Sequence, residues 1–140
     1  MMQQGVTLIE LLLVIGLMLI VGMMASPFIS QFLTYNSFDI AEQQLQGNLR
    51  KAQAYAMDGK QPGPWGVCLS DRMIRLFSGT CASPTHHEDF ELPTTVTVTG
   101  LNTVTFNNRG EPSAALSITI TTPLETATMV LNQSGGLSVN

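Results

Sequence analysis

Charge is sparse in this chain. Asp, Glu, Lys and Arg make up 11% of its 140 residues, and no charged side chain occurs between Glu10 and Asp39. The six basic residues, Arg50, Lys51, Lys60, Arg72, Arg75 and Arg109, are scattered, and the formal net charge is −4. That pattern argues against a nucleic-acid footprint on one subunit, although a polymer can build a patch that a single copy lacks. Catalytic signatures are missing as well. There is no G-x-S-x-G, no phosphate loop and no zincin helix, and nothing places Ser, His and Asp together. The sequence therefore reads as a non-enzyme that calls for no cofactor. Cysteine is limited to Cys68 and Cys81, without the C-x-x-C spacing of a metal site. Outside the cytoplasm this pair is expected as a disulfide; the alternative is two reduced, buried thiols. His86-His87-Glu88-Asp89 is the sole cluster with metal-ligand character. Adjacent histidines on a loop diverge and no third ligand follows at a fixed spacing, so the cluster reads as a polar loop between strands, with no metal site. Asp89 and Glu91 carry no EF-hand signature for calcium.

What the chain does have is a long apolar run. Residues 6–25 would extend about 30 Å as a helix, enough to cross a hydrocarbon core. Inside it stands one carboxylate, Glu10. A charge within a bilayer costs roughly 2.5–3.5 kcal/mol on insertion scales, so such an acid needs a partner or must become neutral. Two plainer readings are a secretory signal peptide, with its apolar region at Leu11–Met24 and a cut near Ala25-Ser26, and a signal anchor with Glu10 at the interface. The first calls for a basic N-terminal region, and residues 1–5 contain no Lys or Arg.

The helical pattern continues beyond the apolar run. Phe28, Phe32, Tyr35, Phe38, Ala41, Leu45, Leu49, Ala52 and Ala56 recur at three- and four-residue steps, opposite Asp39, Glu42, Gln43, Gln46, Asn48, Arg50 and Lys51. One helix is thus expected from near Val6 to Met57, about 75–80 Å long, with Asp58-Gly59-Lys60 and Pro62 and Pro64 as its stop. The aromatic residues of this stretch and Trp65 read as core or helix-packing residues. Pro27 is expected to kink the helix by removing a backbone donor, with Gly16 and Gly22 as nearby close-packing surfaces.

From Pro64 onward, short alternating runs read as strands. Trp65–Leu69 and Met73–Phe77 flank Ser70-Asp71-Arg72 as a hairpin. Thr94–Thr99 and Thr103–Phe106 surround Gly100, and Ala115–Thr121, Thr126–Leu131 and Leu137–Val139 follow. The expected fold is α+β: a long N-terminal helix laid on an antiparallel sheet of six to seven strands. The chain divides into 1–5, an apolar helix over 6–27, its amphipathic continuation over 28–57, and a β-rich domain over 58–140.

Gly5-Val6-Thr7-Leu8-Ile9-Glu10, followed by the apolar run, resembles the processing site of type IV prepilins and type II secretion pseudopilins. The resemblance implies that a prepilin peptidase cuts after Gly5 and that Val6 becomes the methylated first residue. Val6 stands where the family usually has Phe. In this family Glu10 would meet the α-amine of Val6 on a neighbouring subunit and set the register of assembly, which is a specificity device more than a source of stability. A proline at the distance of Pro27 is also common in type IV pilins. In the β region, Trp65-Gly66-Val67, Phe106-Asn107-Asn108-Arg109-Gly110 and Asn132-Gln133-Ser134-Gly135 resemble turns of the GspH/FimT group of minor pilins and pseudopilins. The implied partners are the prepilin peptidase, other copies and other pilin subunits, the inner-membrane assembly platform and membrane lipid. The implied setting is a single-pass membrane protein with an extracytoplasmic domain that assembles into a filament. A rival from another class is a monomeric, membrane-anchored binding domain, for which Glu10 would be dispensable.

Overall fold

The computed structural model describes residues 7–60 and 63–140, the side chains of 24–28 excepted. The expected leader 1–5 and Val6 lie outside the described residues. The chain divides into two compact units, Met1–Leu33 and Thr34–Asn140. The helix α1 (Leu8–Met57) spans the division.

Within the first unit, every residue from Leu8 to Met23 apart from Glu10, Gly16 and Gly22 is a large apolar side chain exposed to its surroundings. Among the described residues, no helix is long and apolar enough to cross a membrane. The expected span 6–25 reaches beyond Leu8–Met23 at both ends.

Within the second unit, α1 behaves as its periodicity requires. Phe38, Ala41, Leu45, Leu49, Ala52 and Ala56 are buried in one stripe, and the exposed face carries Asp39, Gln43 and Arg50. Tyr35 is 50% exposed and, in the first unit, Phe32 is 66% exposed, so of the two expected roles, core or helix packing, the core role does not apply to them. Within the second unit, Phe38 is buried in the core and Tyr55 packs against it. The helix stops where Gly59 takes φ +63. Its N–H reaches the Ala56 carbonyl and the Lys60 N–H reaches the Tyr55 carbonyl, a Schellman closure of the last turn.

Among the described residues eight strands follow: β1 (Trp65–Ser70), β2 (Met73–Gly79), β3 (Pro84–Glu91), β4 (Thr97–Thr99), β5 (Val104–Phe106), β6 (Leu116–Thr121), β7 (Thr126–Leu131) and β8 (Leu137–Val139). They form two antiparallel sheets of four, ordered β3-β2-β1-β5 and β4-β6-β7-β8, in place of the single expected sheet. The runs on either side of Gly100 separate here: β4 pairs with β6, and β5 pairs with β1. Both are three residues long, and the connection at Gly100–Thr103 carries the chain from one sheet to the other.

A second correction concerns His86-His87-Glu88-Asp89, which is not a loop but the middle of edge strand β3, paired with β2. Its side chains are exposed on both faces, so no apolar alternation marks it. Charged residues on an outer strand also discourage pairing with further chains. The inner faces of the two sheets bring Trp65, Val67, Leu76 and Phe106 together with Ile118, Ile120, Met129 and Leu131. With the buried stripe of α1 they form one continuous core.

Candidate assembly site and the β-domain surface

The N-terminal motif enters the described structure at Thr7. The Thr7 carbonyl accepts from the Glu10 and Leu11 N–H groups at 3.1 and 3.2 Å, closing the first turn of α1. Thr7-Leu8-Ile9-Glu10 has the T-x-x-E pattern of a capping box, and Glu10 is the acidic residue of the first turn. A carboxylate there also opposes the positive end of the helix dipole. Glu10 is exposed, and so are the apolar residues around it. Patches of this extent on a soluble monomer are rare, and they mark surfaces meant for lipid or for other chains. Gly5 and Val6, the expected processing pair, lie outside the described residues. Pro27 lies inside α1.

Cys68 and Cys81 form a disulfide, with Cα atoms 6.3 Å apart. The bridge ties the Thr80–Ser83 segment to β1. The Arg75 guanidinium supports the same place from the neighbouring strand. It holds the Asp89 carboxylate through two bonds, 2.7 and 2.8 Å, and donates to the Cys81 carbonyl at 3.3 Å. The hydrogen bond from Arg75 keeps the Asp89 carboxyl below the usual carboxylate range, against the opposing effect of desolvation. On the other face of β3, Glu88 accepts from the Lys51 ammonium on α1, and that bond raises the Lys51 pKa.

The strand geometry therefore divides the His86–Asp89 cluster. His86 and Glu88 share one face of β3, and His87 and Asp89 share the other, because successive strand side chains alternate. Both carboxylates are committed to cations of this chain. Among the described residues no three His, Cys, Asp or Glu side chains gather as a metal-binding group.

The domain also has an open cavity of about 510 Å³, whose lining includes Tyr55, Trp65, Phe106, Asn108, Glu111 and Ser113. Its aromatic wall is fixed. The Tyr55 and Trp65 rings meet edge to face at 4.8 Å between centroids, and the Trp65 indole N–H donates to the Lys60 carbonyl beyond the end of α1. The Lys60 ammonium lies 4.0 Å from the centre of the Tyr55 ring. Sequence reasoning missed this cavity, because its lining comes from the helix end, from strands β1 and β5 and from separate loops.

A long N-terminal helix whose second part packs on antiparallel sheets, with an unburied apolar first part, defines a pilin-like α+β fold. No family profile matches the sequence, and no curated protein matches it either. Among solved structures, the chain is similar to the minor pseudopilin EpsH from the Type 2 Secretion System of Vibrio cholerae. The TM-score is 0.57 at 14% identity, covering 73% of this chain and 94% of that one. The fold is that of a pseudopilin.

Proposed function

We propose that this chain is a structural subunit of a type IV pilus-like or pseudopilus filament, inserted and polymerised through its N-terminal helix. The observation that carries the reading is the apolar surface of Leu8–Met23, left exposed by the chain itself and interrupted by the single acid Glu10. Burying one such aliphatic side chain contributes about 1.5–3 kcal/mol before entropic costs, so the helix surface dominates the energetics of assembly. Glu10 contributes register: its carboxylate pairs with the α-amine of Val6 on the next subunit, once the prepilin peptidase has cut after Gly5 and methylated Val6. Pro27 kinks the helix within the assembled fibre. The likeness to a minor pseudopilin favours a minor or secretion-type subunit over a major shaft subunit. Partners are the peptidase, further pilin subunits, the assembly platform of the inner membrane and lipid. The chain's own role is structural and not enzymatic.

Intact-mass and N-terminal analysis of the protein from its native membrane tests this directly. A mature chain beginning at N-methyl-Val6 supports the reading. An uncut Met1, or a start near Ser26, removes the amine that Glu10 requires and overturns it. The second reading, a monomeric anchored binding domain, is favoured by the cavity beside Tyr55 and Trp65. It differs in requiring no partner for Glu10.

A further inference from the structure

Two turns, one after β5 in the first sheet and one between β7 and β8 in the second, share a single hydrogen-bond plan. In Asn107–Glu111 the Asn107 N–H donates to the Glu111 carbonyl at 3.0 Å, and the Gly110 N–H donates to the Asn107 carbonyl at 2.9 Å. The Asn107 Oδ1 accepts from the N–H groups of Arg109 and Glu111, at 2.9 and 3.0 Å. Asn132–Gly136 repeats each bond. Asn132 N–H reaches the Gly136 carbonyl at 2.9 Å, and Gly135 N–H reaches the Asn132 carbonyl at 3.0 Å. The Asn132 Oδ1 accepts from Ser134 and Gly136, at 3.1 and 2.7 Å. The fourth residue of each turn is a glycine, with φ +78 at Gly110 and +82 at Gly135.

One side chain from α1 joins them. The Gln53 Nε2 donates to the Gly110 carbonyl at 2.8 Å and to the Gly135 carbonyl at 3.3 Å. A primary amide has two N–H donors, and here each finds one turn. The opposite amide orientation would set Oε1 against two carbonyl oxygens, so the acceptors themselves fix the orientation. The turns also touch. A Cβ on Gly135 would fall 2.4 Å from the Gly110 carbonyl oxygen and 2.4 Å from the Gln53 Nε2. The first turn supplies Asn107, Asn108 and Glu111 to the cavity wall described above.

We propose that Gln53 is a positioning residue that couples the two turns, so that they open and close as one unit. The cavity wall carried by Asn107–Glu111 then depends on the state of the β7–β8 turn in the other sheet. Each turn is internally satisfied, so neither needs the other for its own geometry. What they share is the helix amide and the contact between Gly110 and Gly135. This coupling belongs to the β-domain and holds whichever function the chain serves.

Amide hydrogen exchange on the full chain in detergent micelles tests it, comparing wild type with Gln53→Met and Gln53→Glu. Gln53→Met keeps the approximate volume and removes both donors. It is expected to lower protection at least tenfold in both turns (Gly110, Glu111, Gly135, Gly136) and to leave the β1–β2 amides unchanged. Gln53→Glu is expected to match it at pH 8, where a carboxylate faces two carbonyls. At pH 4, where the protonated acid donates again, it is expected to regain part of the protection. A response in one turn alone, in neither, or equally throughout the domain would overturn the proposal. Should Gln53→Met not fold, Asn132→Ala gives the same decision. Coupling requires that breaking the second turn raises exchange in Asn107–Glu111, and unchanged exchange there refutes it.

Discussion

Two glycines of this chain are expected to respond to the same substitution with opposite signs. Gly66 lies in β1, paired with Phe77 on one side and Thr105 on the other. A Cβ there would sit 2.3 Å from the Val104 carbonyl oxygen and 2.8 Å from the Phe77 Cζ. The first neighbour is backbone in a ladder and cannot step aside, and the second is a fully buried ring. Overpacking of this kind costs about 1–3 kcal/mol. For a domain of this size that corresponds to a fall in Tm of roughly 4–12 °C. Gly47 is the converse case. It is an exposed residue in the interior of α1, and a Cβ there meets nothing within 4 Å. Alanine at such a position stabilises a helix by about 0.5–1 kcal/mol, a rise in Tm of roughly 2–4 °C. Thermal unfolding of Gly66→Ala and Gly47→Ala, followed by circular dichroism in one detergent, reads both. Equal shifts, or a Gly66→Ala protein as stable as wild type, would refute the packing argument.

Removing the disulfide by Cys68→Ala with Cys81→Ala closes no new contact but frees a loop with a sequence separation of 13. The chain-entropy relation gives about 3 kcal/mol for that loss, to be read as a lower midpoint in urea. The Arg75–Asp89 pair gives an acid-limb prediction. Because the folded Asp89 carboxyl titrates below its unfolded value, its contribution is present at neutral pH and is lost as pH falls through the folded pKa. Asp89→Asn should therefore lower Tm at pH 7, and the difference from wild type should narrow steadily below about pH 4; a gap that does not depend on pH would contradict this. The Lys51 pKa is raised, so the Lys51–Glu88 bond is lost only as pH rises through that value. Both residues are well exposed, and Glu88→Gln is expected to leave stability at pH 7 nearly unchanged.

The sequence was most legible where one periodicity ruled a whole element. The buried stripe from Phe38 to Ala56 has three- and four-residue spacing, and β7 and β8 fall on their expected residues because Thr and Ser alternate with apolar side chains. Strand β3 was illegible for the opposite reason. As an edge strand exposed on both faces it buries little, so Thr85–Glu91 carries no alternation, and its membership rests on backbone pairing and on Arg75 meeting Asp89. The division into two sheets was hidden as well. The expected runs Thr94–Thr99 and Thr103–Phe106 lie on either side of Gly100, and nothing local reveals that the strands within them each pair with a distant strand. The disulfide was readable as a pairing because the chain has only two cysteines. The Gln53 amide was not readable at all. A lone glutamine on the mixed face of a helix has no pattern, and its role exists only once Gly110 and Gly135 meet.

The assembly reading turns on Glu10, and the most direct test replaces it. Membranes of cells producing wild type or Glu10→Val are compared for N-terminal processing, by mass, and for incorporation into filaments, by shearing and cross-linking. The account predicts that the variant is still cut after Gly5 and methylated at Val6 but enters filaments at a small fraction of the wild-type level. A Glu10→Val protein that assembles as well as wild type would contradict it.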